Sequence, residues 1–325
     1  MSQSSSLADS LRAGDRLALA RAITLVESSL PEHVKEAQEL LRALGPGAGR
    51  ALRLGVSGPP GVGKSTFLDA FGMFLLQRGL KVAVLAVDPS SSITGGSILG
   101  DKARMNRLAQ DARAFIRPSP SGATLGGVTR RTRESIALCE AAGFDLTIVE
   151  TVGVGQSETA VADMVDCFLV LFQPGSGDEL QGIKRGILEL ADLVAVNKAD
   201  GDQLPRARAA VVEISSALRL LGPRSPEWEG RVLAISSLEG RGFEDLWQAF
   251  QEHRRAMERS GLLELRRQSQ RVRWMWALVE EGLKASLDRQ PRVQARRAAL
   301  ERDVAAGSLP PALAAEEILR LNREG

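Results

Sequence analysis

The segment GPPGVGKSTF (58–67) constrains the fold more than any other part of the chain. It follows the apolar run LRLGV (52–56) and matches the pattern G-x-x-x-x-G-K-[ST] in full. In such a loop, glycines let backbone N–H groups turn inward around phosphate oxygens, and the next helix presents its positive end. The chain is therefore predicted to contain a strand, a phosphate-binding loop and a helix in succession.

The loop supplies most of the predicted nucleotide contacts. Lys64 is expected to reach the β- and γ-phosphates and to act in catalysis, and the Ser65 hydroxyl is expected to bind Mg²⁺. The predicted nucleotide-binding residues of this loop are Gly58, Pro59, Pro60, Gly61, Val62, Gly63, Lys64, Ser65 and Thr66.

Short apolar runs alternate with longer helical patterns between residues 51 and 250. Several runs are apolar on successive residues, as in strands that are covered on both faces. This alternation predicts an α/β fold of the P-loop NTPase type, with a mainly parallel sheet flanked by helices. The predicted strands are Leu52–Ser57, Val82–Val87, Phe115–Arg117, Leu146–Glu150, Phe168–Phe172, Leu193–Asn197 and Val232–Ser236.

Helical extensions are expected on both sides of this domain. Residues 1–50 form the predicted N-terminal helical extension, residues 51–250 the P-loop domain, and residues 251–325 a C-terminal helical arm. In the arm, apolar residues recur at spacings of three and four, the stripe of an amphipathic helix. This stripe comprises Val272, Trp276, Val279, Leu283 and Leu287.

Composition excludes several classes of protein. The chain is 44% apolar and 25% charged with a net charge of +2, so no nucleic-acid partner is expected. The basic stretch in the arm is interpreted as a solvated helix face. No apolar run approaches the roughly 20 residues of a membrane helix, so no membrane association is expected. The first residues lack a signal-peptide pattern, which predicts a cytoplasmic location.

The two cysteines, Cys139 and Cys167, stand in apolar surroundings, and no histidine ligand is expected near either of them. Buried, inert thiols are the expected state of both. Neither a disulfide framework nor a zinc site is therefore predicted.

The segment NKAD (197–200) predicts which base the nucleotide carries. The Asp200 carboxylate can accept hydrogen bonds from the N1 and N2 donors of guanine, which adenine does not offer in that arrangement. Asn197 and Lys198 complete the motif, while Ser236, Ser237 and Leu238 at the next strand end would close the base pocket through backbone contacts. GTP and GDP are the predicted ligands.

The segment DLTIVE (145–150) is a predicted strand that ends in an acid and leads into a predicted catalytic segment. Glu150 is expected near Mg²⁺, and the Gly153 N–H near the γ-phosphate. Many small GTPases have a water-positioning glutamine directly after this glycine, whereas here Val154 follows and Gln156 is the first glutamine. Slow intrinsic hydrolysis is therefore expected, with another segment or a partner completing the site.

Asp88 stands at the end of the second predicted strand. In open α/β sheets, ligands bind at the carboxyl ends of the strands, so a contact with metal or water is favoured. A helix cap is the alternative role, because Asp commonly takes it before Ser and Pro.

Several longer segments carry a family resemblance. They are IVETVGVGQSE (148–158), VDPSSS (87–92), TGGSILGDKARM (94–105), NKADG (197–201), GDR (14–16) and AITLVE (22–27). Over nearly its whole length, the chain resembles the MeaB family of methylmalonyl-CoA mutase-associated GTPases, also called ArgK.

The resemblance implies a G-protein chaperone of adenosylcobalamin-dependent acyl-CoA mutases, which gates cofactor loading and protects the mutase from inactivation. It also implies a homodimer formed through the C-terminal helical arm. Ser65, Asp88, Asp101 and Glu150 would surround Mg²⁺ directly or through water. QPGSGDELQGIK (173–184) matches an additional switch of the family, in which Lys184 is a candidate for neutralising transition-state charge, with a surface lysine as the alternative.

Three other functions compete with this interpretation. An ATP-dependent kinase linked to transport is disfavoured by Asn197 and Asp200. A metallochaperone GTPase for nickel or cobalt is disfavoured because the only histidines, His33 and His253, are far apart in the sequence. A nucleotide-dependent scaffold with incidental hydrolysis stays open because of Val154.

Overall fold

The computed structural model describes residues 3–28, 30–45, 51–87, 105–118, 125–151, 157–175 and 185–323. The chain forms two compact units, residues 1–270 and residues 271–325. The first unit contains the sheet and the second is helical.

Seven parallel strands form one sheet in the order β3-β2-β4-β1-β5-β6-β7. The strands are β1 Leu52–Ser57, β2 Val82–Val87, β3 Ala114–Arg117, β4 Leu146–Thr151, β5 Cys167–Phe172, β6 Leu193–Val196 and β7 Arg231–Ala234. Each predicted strand is present within one or two residues of its expected bounds. The predicted α/β fold with a parallel sheet is confirmed.

Helices cover both faces of the sheet, which explains the unbroken apolar runs. Every residue of β2 and β5 is buried, as expected for strands without a solvated face. The described helices are α1 Gln3–Arg12, α2 Arg16–Glu27, α3 Pro31–Leu44, α4 Lys64–Gln77, α5 Asn106–Gln110, α6 Leu125–Ala141, α7 Ser157–Ala162, α8 Arg185–Leu190, α9 Leu204–Leu221, α10 Phe243–Arg259, α11 Leu262–Arg289, α12 Pro291–Ala305 and α13 Pro311–Arg323.

The N-terminal helices belong to one of the two cores. Asp15 caps α2 by accepting a hydrogen bond from the Leu17 N–H at 2.8 Å, and Leu19 and Ile23 of this helix are fully buried. They join one hydrophobic cluster, whereas α4 and α10 contribute to the other. Within the described part of the chain, none of the helices has both the length and the apolar character needed to cross a bilayer.

A buried ion pair anchors the beginning of α11 to the sheet. The Arg267 guanidinium donates to both oxygens of Asp166, at 2.8 and 2.6 Å, and to the Ala51 carbonyl at 2.8 Å. The Arg53 N–H also donates to Asp166, at 3.0 Å. Because both members of the pair are buried, their mutual hydrogen bonds have to replace the lost water contacts.

Replacing Arg267 by methionine is expected to destabilise the protein by about 3 kcal/mol, because it leaves the Asp166 carboxylate buried without its main partner. Urea unfolding followed by circular dichroism measures this change. The control is Arg254→Met, whose pair with Glu258 is solvated and joins residues four apart on a helix. Its expected cost is below about 1 kcal/mol, and equal losses in the two variants would contradict the assigned role of Arg267.

Candidate nucleotide site

The predicted phosphate-binding loop lies at the centre of the sheet. It leaves the carboxyl end of β1, which lies between β4 and β5, and enters α4 at Lys64. Three of its glycines have positive φ: 152° at Gly58, 81° at Gly61 and 93° at Gly63. The loop therefore occupies the position where open parallel sheets bind ligands, with the N-terminus of α4 directed toward an anion.

Gly58 and Gly61 test the loop conformation as a matched pair. A Cβ atom at Gly58 would lie 2.5 Å from the Leu171 carbonyl oxygen, whereas one at Gly61 would meet no atom within 4 Å. Gly58→Ala combines backbone strain with a clash and is expected to cost about 3 kcal/mol, whereas Gly61→Ala carries only strain of about 1 kcal/mol. Unfolding free energies and calorimetric titration with GDP measure both variants, and equal effects would contradict this loop geometry.

Lys64 is buried beneath the loop. Its Nζ donates to the carbonyl oxygens of Gly58 at 2.7 Å and Pro59 at 3.2 Å. Burial lowers the pKa of this lysine, while the negative charges of Glu150 and Glu158 raise it. The ammonium group therefore lies within the loop and among acidic groups, where it can interact with an anionic ligand.

The neighbouring strand β4 brings oxygen donors to the loop. Glu150 is buried and pairs in register with Val56 of β1, and the Thr151 hydroxyl donates to the Ser57 hydroxyl at 2.7 Å. Ser65 lies in the first turn of α4. Carboxylate and hydroxyl oxygens are the hard donors that Mg²⁺ prefers, so Ser65 and Glu150 fit this ion. The other predicted residues Asp88, Asp101, Gly153 and Lys184 lie outside the described residues.

Asn197 joins the loop to the predicted base pocket. Its Nδ2 donates to the Val62 carbonyl at 2.9 Å. Its Oδ1 accepts from the backbone N–H and the hydroxyl of Ser237, at 3.1 and 2.7 Å. Sequence reasoning assigned Asn197 to nucleotide binding but missed this bracing role, for which the motif alone carries no signal.

Lys198 and Asp200 project from the same turn. Lys198 has a positive φ of 60°, and its Nζ donates to the Gly61 carbonyl at 2.7 Å and to Gln173 Oε1 at 2.8 Å. Asp200 Oδ2 accepts from the Ser236 hydroxyl at 2.6 Å, whereas the Leu238 side chain is 80% exposed. The segments 58–66, 197–200 and 236–238 are therefore linked by hydrogen bonds into one site.

Both cysteines are buried, as predicted, but the surroundings of Cys167 differ from the expectation. Donor atoms of Cys167, Asp192 and His253 lie within 4.8 Å of one another. The expectation that no histidine lies near either cysteine was wrong for Cys167, because α10 packs against β5 and β6 and brings His253 there. No sequence spacing indicates a contact made by packing alone.

The chain is similar to known proteins over most of its length. The family model described as "Methylmalonyl Co-A mutase-associated GTPase MeaB" matches residues 19–292. The chain belongs to the MeaB family. The predicted family resemblance is thereby confirmed.

Individual relatives cover most of the chain. A probable GTPase of Mycobacterium tuberculosis is 55% identical over 315 residues, which is 97% of this chain and 94% of that protein. The GTPase ArgK of Escherichia coli is 55% identical over 271 residues, or 83% of this chain and 82% of ArgK. The mitochondrial methylmalonic aciduria type A homolog of Mus musculus is 48% identical over 317 residues, or 94% of this chain and 76% of that protein.

A solved structure described as an LAO/AO transport system kinase superposes with a TM-score of 0.78, at 42% identity and with 99% of each chain covered. The relatives from Mycobacterium tuberculosis and Escherichia coli are named GTPases, and the MeaB family is described as one of GTPases. The MeaB-family chain is therefore a GTPase that binds guanine nucleotide. This confirms the predicted enzyme class.

Proposed function

We propose that this GTPase is a chaperone for an adenosylcobalamin-dependent acyl-CoA mutase, with methylmalonyl-CoA mutase as the first candidate. GTP binding and hydrolysis would gate cofactor loading and protect the mutase from inactivation. The observation that carries this proposal is the match over residues 19–292 to a family named for its association with that mutase. The site's hydrogen-bonded loop and NKAD turn support a nucleotide-controlled role.

Each part of the site has a proposed task. The loop N–H groups and Lys64 would hold the phosphates, and Asp200 would accept hydrogen bonds from guanine. Ser65 and Glu150, with Asp88 and Asp101, would hold Mg²⁺, which neutralises phosphate charge when bound. The Gly153 N–H would contact the γ-phosphate.

Val154 follows Gly153 where many GTPases have a glutamine that orients the attacking water, so hydrolysis by the chain alone is expected to be slow. Lys184 is the proposed compensating residue, reaching the developing charge once the mutase is bound. A nucleotide-dependent scaffold is the alternative, favoured by the same missing glutamine. In that case the mutase would leave the hydrolysis rate unchanged.

GTP turnover by the purified chain, measured alone and with methylmalonyl-CoA mutase, tests this function. A slow basal rate should rise at least tenfold, which corresponds to about 1.4 kcal/mol of barrier. Lys184→Ala should lose the stimulation, whereas Lys81→Ala, which removes an exposed lysine outside the site, should retain it. A rate that the mutase leaves unchanged would remove this partner and favour the scaffold.

We also propose that residues 251–325 form the arm of a homodimer. Within this arm, Val272, Trp276, Val279 and Leu283 are 41–61% exposed although they form an apolar stripe on one helix. An exposed stripe of this kind marks an interaction surface. Light scattering of Trp276→Glu should show a monomer, whereas Leu313→Glu, at an equally exposed leucine, should stay dimeric. A monomeric wild-type protein would contradict the proposed homodimer.

The cytoplasmic location stays a prediction.

A further inference from the structure

Three potential metal ligands meet at the amino-terminal ends of the strands, opposite the nucleotide site. Cys167 is the first residue of β5, Asp192 directly precedes β6, and His253 lies on α10. Their donor atoms lie within 4.8 Å of one another, and all three side chains are buried. The phosphate-binding loop leaves the other end of the parallel strands, so this cluster is distinct from the GTP site.

The His253 imidazole has an unexplained polar atom. Its Nε2 is buried without a hydrogen-bond partner and lies 3.6 Å from Asp192 Oδ1. The ring packs edge-on against Trp228, with 5.1 Å between ring centroids. The contact with Asp192 is longer than a hydrogen bond, and a buried polar atom that is left unsatisfied costs about 1–3 kcal/mol, so a ligand bound between the two groups would satisfy both.

Hydrogen bonds hold Asp192 in a matching orientation. Its Oδ2 accepts from the Phe168 N–H at 2.9 Å and from Arg224 at 2.7 Å. Its backbone carbonyl accepts from Trp228 Nε1 at 2.8 Å. The carboxylate is thereby fixed with Oδ1 toward His253, as outer hydrogen bonds fix carboxylates that bind metals.

We propose that Cys167, Asp192 and His253 form a binding site for a zinc ion. Thiolate sulfur, imidazole nitrogen and carboxylate oxygen are the ligands that Zn²⁺ takes in proteins, at about 2.0–2.3 Å. Tetrahedral geometry at those bond lengths places the donors about 3.3–3.7 Å apart. The His253–Asp192 separation of 3.6 Å already satisfies this, and a water molecule would complete the coordination.

The neighbouring arginines set the strength of the site. Arg224 and Arg266 both contact Asp192 and oppose an added positive charge, but the Arg266 contacts are long, at 3.4 and 3.5 Å. Burial, together with the charge of Asp192, raises the pKa of the Cys167 thiol, and the two arginines oppose that rise. Removing one of these positive charges should favour the bound ion, so Arg266→Gln should strengthen Zn²⁺ binding.

A cavity lies next to the cluster. It has a volume of about 1100 Å³, and Arg224, Trp228 and Glu252 are among its lining residues. Arg224 and Trp228 are also direct hydrogen-bond partners of Asp192. One layer of side chains therefore separates the cavity from the cluster.

Titration of the full chain with Co²⁺, after treatment with a chelator, tests the site. Cobalt replaces zinc and adds a sulfur-to-metal absorption band, which the oxygen ligands of a magnesium site do not produce. One equivalent of Co²⁺ should produce the band. Zn²⁺ should then displace Co²⁺, remove the band and raise the midpoint temperature of thermal unfolding. Cys167→Ser should abolish the band, and His253→Gln should weaken Zn²⁺ binding at least tenfold. The control Cys139→Ser, at an equally buried thiol, should change neither the band nor the affinity for Zn²⁺.

Circular dichroism and GDP binding establish that each variant is folded. Absence of the band in the folded wild-type chain would overturn the proposal. Retention of the band in Cys167→Ser, or its equal loss in Cys139→Ser, would also overturn it. Because the cluster lies away from the GTP site, loss of zinc binding with intact GTP turnover separates this proposal from the mutase proposal.

Discussion

Replacing Asp200 by asparagine is expected to lower the affinity for GDP by about 10⁴-fold and to create a preference for xanthosine diphosphate. Guanine presents two donors, N1–H and the N2 amino group, to the carboxylate. The asparagine amide would set its own NH₂ donor against one of them. A site that is built on hydrogen bonds rejects a mismatched partner by about 10⁴–10⁵-fold.

Xanthine carries a carbonyl where guanine carries the N2 amino group, so it matches the asparagine amide. The Ser236 hydroxyl, which donates to Asp200 at 2.6 Å, can rotate and bond to either side chain. Calorimetric titration with both diphosphates measures the change. Asp202→Asn, an exposed acid in the following turn, is the control and should retain the guanine preference. Unchanged GDP affinity in Asp200→Asn would show that another group recognises the base.

Replacing Lys64 by alanine is expected to slow GTP hydrolysis by about 10³-fold, or about 4 kcal/mol of barrier. The Nζ atom already lies beneath the loop, 2.7 Å from the Gly58 carbonyl, where it would follow the charge that develops on the phosphates. Burial lowers the pKa of Lys64, which means that its charged form contributes little stability to the folded chain without nucleotide. The variant should therefore fold while losing activity.

Single-turnover hydrolysis at saturating GTP measures the effect of Lys64→Ala, with thermal unfolding as the test of folding. Lys81→Ala removes an exposed lysine and should hydrolyse GTP at the wild-type rate. If Lys64→Ala kept more than about a tenth of the rate, phosphate charge would have to be neutralised by other groups. Mg²⁺ and Lys184 would be the groups that neutralise it.

Local patterns determined much of this protein. Unbroken apolar runs at β2 and β5 indicated strands covered on both faces, and both strands are buried throughout. The loop motif indicated positive-φ glycines between a strand and a helix, and Gly58, Gly61 and Gly63 have that conformation. These features depend on neighbours within a few residues, so periodicity and glycine placement are sufficient to predict them.

Tertiary structure alone decided which segments meet. The strand order places β1 between β4 and β5, and Asn197 braces the loop through Val62 and Ser237. Arg267 reaches Asp166, and α10 carries His253 to Cys167. Each of these contacts joins residues far apart in the sequence, where no local preference specifies the partner. They form because packing both faces of one sheet brings the segments together, and burial makes a polar group without a partner costly.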